Sequence, residues 1–212
     1  MYSVKEIFYS LQGEGARSGR SAVFLRFAGC NLWNGIEADR DKAICTFCDT
    51  DFVGTNGTLG GKYDSAEDLA KTIRGLWPHD PGTLSKPYVV CTGGEPLLQL
   101  DETLVYALHL NGFEVAVETN GTLHPPSGID WICMSPKPNT IINIKKGNEL
   151  KFIYPQDPFM PQEFEQFDFQ YFYIQPMDGP NIEDHLKKAL KFCLEHPQWQ
   201  LSLQTHKLLG IR

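Results

Sequence analysis

Three cysteines, Cys30, Cys45 and Cys48, crowd the first quarter of the chain in the spacing C-x14-C-x2-C. Three thiolates in one place have few chemical uses. A structural zinc takes four ligands, commonly as two C-x2-C pairs, and the second pair is missing. His79 and Cys91 are conceivable fourth ligands, but neither stands at the usual spacing. A cubane iron–sulfur cluster takes one thiolate per iron, so three leave one iron open to bind a substrate or cofactor directly. Phe47, in Cys45-Thr46-Phe47-Cys48, is placed to shield such a cluster and line an adjoining pocket. Cys91, Cys133 and Cys193 stand singly in apolar contexts (VVCTG, WICMS, KFCLE) and read as buried core residues.

Other polar residues recur just after strand-like runs. Gly29-Cys30 follows SAVFLRFA, Gly93-Gly94-Glu95-Pro96 follows YVVCT, and Asn120-Gly121-Thr122 follows FEVAVET. Ser135-Pro136-Lys137 follows WICM, Pro176-Met177-Asp178 follows YFYIQ, and His206-Lys207 follows LSLQT. In parallel α/β folds the strand C-termini share one edge, and the active site is built there. Turn chemistry accounts for the Gly and Pro. It does not account for Glu95, Glu118, Lys137, Gln175 and His206 all arriving at that edge.

The elements that must position these residues follow from pattern. Strands are expected over Ser21–Ala28, Tyr88–Thr92, Phe113–Thr119, Trp131–Ser135, Leu150–Tyr154, Phe169–Gln175 and Leu201–Thr205. Helices are expected over Ser65–Trp77 with Ser65 as N-cap, over Leu97–Leu110 stopped at Asn111-Gly112, and over Asn181–Glu195. This alternation implies a mostly parallel sheet with helices outside it, an α/β fold. Seven strands suit a partial, open barrel, and 212 residues are short for a closed eight-stranded one, which takes about 250. We expect a single domain over residues 1–212, with an extended loop of about 29–62 around the cysteines. Tyr154–Pro161 reads as a second loop, punctuated by proline.

Composition sets the outer bounds. Apolar residues are 42% and charged residues 21%, as in ordinary globular proteins. A net charge of −7 argues against a broad nucleic-acid face, which needs basic residues, but permits a small anionic substrate. No apolar run is long enough to cross a membrane. The first residues, MYSVKEIFYSLQGEG, lack the pattern of a secretory signal, so a cytoplasmic location is expected and a disulfide framework is not.

The cysteine pattern resembles the radical S-adenosylmethionine (SAM) family, whose usual motif is C-x3-C-x-aromatic-C. The end of that motif, Cys45-Thr46-Phe47-Cys48, is kept. Fourteen residues stand where the usual motif has three, a tolerable insertion because loop-closure cost grows by only roughly 0.6 kcal/mol per doubling of length. Thr92-Gly93-Gly94-Glu95-Pro96 resembles the family's GGE motif. Within the family, Tyr9–Gly15, Arg26, Cys48-Asp49-Thr50, Glu118–Gly121, Ser135–Lys137, Gln175–Asp178 and Gln204–Lys207 resemble the 7-carboxy-7-deazaguanine synthases. Some of these share the long cysteine spacing, and the likeness spans essentially the whole chain.

The resemblance implies a lyase of queuosine and 7-deazapurine biosynthesis, a pathway of tRNA modification. It would convert 6-carboxy-5,6,7,8-tetrahydropterin to 7-carboxy-7-deazaguanine with loss of ammonia. It implies a 4Fe–4S cluster on Cys30, Cys45 and Cys48, SAM as a regenerated cofactor, and Mg²⁺ at Thr50. The radical comes from SAM and the cluster, so no side chain is expected to be catalytic itself. SAM would lie against Phe47, Asp49, Gly93, Gly94, Glu95, Ser135, Pro136, Lys137, Gln175, Pro176, Met177 and Asp178. Lys137 suits its carboxylate as a compact charge. The pterin would meet Leu11, Gln12, Gly13, Glu14, Arg26, Thr92, Glu118, His206 and Arg212. Carboxylates there suit an edge of N–H donors, and the planar fork of Arg26 suits the substrate carboxylate. A homodimer is implied, with the aromatic stretch Phe164–Tyr173 as a candidate interface, and an electron donor such as a flavodoxin or ferredoxin. Another small radical SAM enzyme, such as a glycyl-radical activase, and a non-catalytic zinc-binding module are the competing readings.

Overall fold

The computed structural model describes residues 1–78 and 85–212, so His79 lies outside the described residues. Nine strands among these residues form one sheet: β1 (Tyr2–Leu11), β2 (Ser21–Phe27), β3 (Gly61–Tyr63), β4 (Tyr88–Gly93), β5 (Glu114–Thr119), β6 (Trp131–Met134), β7 (Lys146–Tyr154), β8 (Asp168–Pro176) and β9 (Gln200–Leu201). Their order is β3-β1-β2-β4-β5-β6-β7-β8-β9, so the sheet does not close. From β2 to β9 each neighbouring pair is parallel, and six of these seven strands coincide with those expected from pattern. The antiparallel strands β1 and β3 extend the other edge. The fold is the expected open, mostly parallel α/β sheet.

The helices are α1 (Ala66–Leu76), α2 (Glu102–Leu110), α3 (Ile182–Glu195) and the short α4 (Thr205–Leu209). Ser65 caps α1 by accepting from Asp68 N at 3.1 Å. Gly112, at φ 83°, ends α2. The expected helix Leu97–Leu110 is two elements. A single 3-10 turn, Pro96–Leu98, is followed by α2, which Asp101 caps through Leu104 N at 2.9 Å. The break is made by Gln99, whose amide accepts from Ser3 N at 2.7 Å and donates to Ala28 O at 2.8 Å. The expected strand Leu201–Thr205 is also corrected. Pairing stops at Leu201, and Thr205 begins α4.

Strand alternation sorts the side chains by face. On β7, Leu150 and Phe152 turn into an apolar cluster with Phe164, Phe169, Phe192 and Trp199, while Lys151 and Ile153 turn into the concave side. The aromatic stretch Phe164–Tyr173 is therefore largely internal. Phe164 is 5.7 Å from the Phe152 ring and Phe172 is 5.2 Å from that of Trp199. A second cluster packs α1 and α2 against β1, β2, β4 and β5, and Leu97 and Ile132 touch both clusters. Cys91 and Cys133 are buried as expected, and Cys133 also faces the concave side, whereas Cys193 is only half-buried, packed at the edge of the cluster that holds Phe192 and Trp199. No helix is long and apolar enough to cross a membrane among the described residues.

Candidate active site

The concave side holds a cavity of about 360 Å³ at the C-terminal edge of the parallel strands. Phe24 and Arg26 of β2, Thr92 of β4, Glu118 of β5, Cys133 of β6, Lys151 and Ile153 of β7 and Gln175 of β8 form its wall. The last residues of β4 and β8, Gly93 and Pro176, and the loops that follow the strands add Phe47, Cys48, Asp49, Thr50, Gly94, Ser135, Lys137, Met177 and Asp178. Leu11, Gln12, Gly13, Glu14, His206 and Arg212 complete it from the two ends of the chain. Nearly every expected site residue therefore reaches one space. Cys30, Cys45, Glu95 and Pro136 stand behind the wall rather than on it.

The cysteine loop is built as a unit. Leu32 O accepts from both Ile44 N at 3.0 Å and Cys45 N at 3.3 Å, which returns the second cysteine toward the first. The insertion carries a 3-10 segment, Glu37–Lys42. Its Arg40 donates to Thr46 O and Cys48 O, each at 3.0 Å, and lies 4.1 Å over the Trp33 ring. Burial pushes the Cys30 and Cys45 thiols up, and charge on the neighbouring cysteines adds to it. The three thiols thus stand within electrostatic reach of one another, and three cysteine sulfurs are the donor type that the implied iron–sulfur cluster takes. Among the described residues, no three His, Cys, Asp or Glu side chains converge as ligands of a single metal ion.

The Gly-Gly-Glu turn locks this loop to the sheet. A Cβ on Gly94 would stand 2.1 Å from Gly29 O and 2.7 Å from the Cys30 Cβ. Gly93, at φ 138°, lies against the Phe27 backbone. Glu95 N donates to Gly29 O at 3.0 Å. The Glu95 carboxylate is fully buried and accepts from Leu97 N at 3.0 Å, Thr119 Oγ1 at 2.8 Å and Asn120 N at 2.8 Å. Burial pushes this carboxyl up despite the three donors. Its visible work is to hold the 119–121 turn to the cysteine loop.

Two polar sets share the cavity. In one, Lys137 Nζ donates to Ser135 O at 2.8 Å and Ser135 Oγ at 2.7 Å, and burial lowers its pKa. Gln175, also buried, accepts from Ser202 Oγ at 3.0 Å. In the other, Gln12 Nε2 donates to Glu118 Oε1 at 2.9 Å, and Gln12 Oε1 accepts from Glu14 N at 3.1 Å. Glu14 pairs with Lys151 and accepts from Gln204 Nε2 at 3.0 Å. Burial raises the Glu14 carboxyl, but Lys151 and Gln204 outweigh it and hold the pKa below the usual carboxylate value. Arg26 Nε donates to Glu6 Oε1 at 3.0 Å, and Glu6 also pairs with Arg212.

The helix α4 covers the cavity. Thr205 donates to Gly13 O through both N and Oγ1 at 2.9 Å. Lys207 Nζ bridges Asp49 at 2.7 Å and Asp178 at 2.6 Å. Lys151, Gln204 and Glu6 are wall residues that sequence reasoning missed. The available signal for Lys151 was parity, since it sits two residues from Ile153 in a strand whose alternate residues are apolar.

No protein-family model matches the chain. The 7-carboxy-7-deazaguanine synthase of Bradyrhizobium diazoefficiens is 58% identical over 211 residues, covering 100% of this chain and 99% of that protein. That of Bordetella pertussis is 58% identical over 210 residues, covering 99% of each. That of Synechocystis is 31% identical, covering 100% of this chain and 94% of that protein. The crystal structure of QueE from Escherichia coli is similar in fold, with a TM-score of 0.67 at 24% identity, covering 95% of this chain and 93% of that one. The open sheet, its shared wall and more than half of all positions in common with proteins of one name lead to a single conclusion: the chain belongs to the 7-carboxy-7-deazaguanine synthase family.

Proposed function

We propose that this chain is a radical SAM lyase that converts 6-carboxy-5,6,7,8-tetrahydropterin to 7-carboxy-7-deazaguanine, releasing ammonia, on the way to queuosine or another 7-deazapurine. The observation that carries this is the single cavity shared by the cysteine loop, the Ser135–Lys137 set and the Gln12–Glu14–Glu118 set. Full-length identity to synthases of that name supports it. The whole chain acts as one radical SAM core.

Cys30, Cys45 and Cys48 would hold a 4Fe–4S cluster, with one iron left for the methionyl group of SAM. When bound, cluster and SAM supply one electron and a hydrogen-abstracting carbon radical. Lys137, held by Ser135, offers a point charge to the SAM carboxylate. Phe47 shields the cluster side of the cavity. Glu14 and Glu118 accept from the N–H edge of the pterin, and Arg26, oriented by Glu6, meets its carboxylate. Thr50 offers a hydroxyl to Mg²⁺, an ion that keeps several waters and needs substrate oxygens to complete its shell. The α4 cover excludes water from a reactive radical. Glu95 acts by holding the walls together.

A homodimer belongs to the same reading. Exposed leucines Leu186, Leu190 and Leu194, one turn apart on α3, offer it apolar surface. So does a low-potential donor such as a flavodoxin or ferredoxin, acting in the cytoplasm.

The test is direct. Protein reconstituted with iron and sulfide without oxygen is incubated with the carboxy-tetrahydropterin, SAM, Mg²⁺ and dithionite. The expected result is 7-carboxy-7-deazaguanine with equimolar ammonia and no net loss of SAM. A fully loaded protein that cleaves SAM but yields no deazaguanine overturns the proposal.

A further inference from the structure

Lys151 is the one ammonium in direct contact with Glu14 among the described residues. Its side chain is only 6% exposed, a costly position for a cation unless charges and hydrogen bonds match it. Glu14 supplies the close partner, and Glu118 Oε1 lies 3.8 Å away. The two carboxylates are tied to each other through Gln12, which donates to Glu118 and accepts from Glu14 N. The second oxygen of Glu14 is held by Gln204. Lys151 thus closes the back of a two-carboxylate frame whose front is the cavity.

Resting on the function proposed above, we propose that Lys151 is a positioning residue that sets substrate specificity: it keeps Glu14 a carboxylate, so that Glu14 and Glu118 together present only acceptors to the amino and ring N–H donors of the pterin. A protonated Glu14 would turn an O–H toward a substrate N–H, donor against donor.

The surroundings leave this task to Lys151. The groups facing it are Glu14 from the β1–β2 loop, Glu118 on β5, Cys133 on β6, Glu149 on β7, Lys137 beyond β6 and, past Glu14, His206 on α4. Burial pushes the Cys133 thiol well up and raises the Glu149 carboxyl, and Glu149 is occupied by Ala16 N at 3.2 Å. Lys137 is engaged with Ser135. Burial would lower Lys151, yet Glu118 and Glu14 outweigh it and hold it well above the ordinary lysine value. The sign for Glu14 is then fixed. Its carboxyl lies below the ordinary value because of Lys151, so the charged frame persists above that depressed pKa and fails as pH falls through it. Removing the ammonium moves this failure to higher pH.

The test compares wild type, Lys151→Met and Lys151→Arg as reconstituted holoenzymes. In Lys151→Met the KM for the carboxy-tetrahydropterin rises about 10-fold or more. The acid limb of kcat/KM moves up by about 1–3 pH units. Preference for the 2-amino substrate over its 2-oxo analogue shrinks, while SAM affinity and iron content stay at wild-type values. Lys151→Arg keeps the wild-type limb. A merely structural ion pair would lower folded or loaded protein without moving the limb or the preference, and that result overturns the proposal. Should Lys151→Met fail to load iron, Lys151→Gln keeps a donor to Glu14 without the charge and decides by the same limb. Binding of fluorescent 6-carboxypterin with SAM present, titrated against pH, separates the two levels. A wild type that neither binds nor converts pterin overturns the functional reading and this one with it. A wild type that does both, beside a Lys151→Met of unchanged limb, overturns this one alone.

Discussion

At the scale of single residues, contact distances explain why certain positions admit no substitute. The missing Cβ of Gly94 is space used by the Gly29 carbonyl and the Cys30 side chain, not spare flexibility. Gly94→Ala should cost about 1–3 kcal/mol through overpacking, displacing Cys30 while the strands stay paired. Thermal melts should show a modest drop, and iron analysis after reconstitution should show a clear loss. Equal iron content in Gly94→Ala and wild type would contradict this. The cysteines stood out as candidates because thiols at that spacing have few alternatives. Lys151 was passed over because a lysine in a strand ordinarily faces water, although its alternation with Leu150 and Phe152 puts it on the same face as Ile153.

At the scale of elements, the insertion between Cys30 and Cys45 behaves as a brace. Arg40 reaches back to the carbonyls of Thr46 and Cys48 from its platform on Trp33. Arg40→Ala removes the two charge-assisted hydrogen bonds to these carbonyls, worth about 1–2 kcal/mol after allowance for partial exposure, together with its two exposed contacts to Glu37 at 2.7 and 2.8 Å. The expected outcome is faster cluster loss on exposure to air, followed by the decay of the brown absorbance, with a melting temperature lowered by only roughly 2–8 °C. Unchanged decay would mean that the insertion does not support the third cysteine. Six of the seven parallel strands were legible from their apolar patterning, and the seventh, β9, was placed too far along the chain. β1 was not, because a bulge between Val4 and Glu6 breaks its alternation. The division of the 97–110 segment was hidden for a related reason. Gln99 bonds to the backbone of residues far away in the sequence, and no local pattern reports that.

At the scale of the whole molecule, the cavity is partly covered by contact between distant parts of the chain. Gly13 lies under His206, and a Cβ there would stand 2.2 Å from Nδ1 and 2.9 Å from the His206 Cβ. Gly13→Ala should therefore lift α4. We expect the KM for the pterin to rise about 10-fold with SAM affinity retained, together with faster proteolysis after Lys207. Steady-state kinetics and limited digestion check this, and unchanged values in both would refute a covering role for α4. The open architecture was legible from strand count and length. The closing role of His206 and the C-terminus was expected from resemblance, but its helical form was not, since Leu201–Thr205 reads as a strand whereas pairing stops at Leu201 and α4 starts at Thr205, held to Gly13.

That cover has a consequence for biogenesis. A ribosome delivers the chain from its amino end, so Cys30, Cys45 and Cys48 emerge long before Gln204, Thr205 and Lys207 have been translated. Throughout that interval the three thiols lack the cover that α4 gives the finished fold. If they hold the proposed cluster, its loading can precede completion of the lid, and slowing translation of the last codons would widen that window.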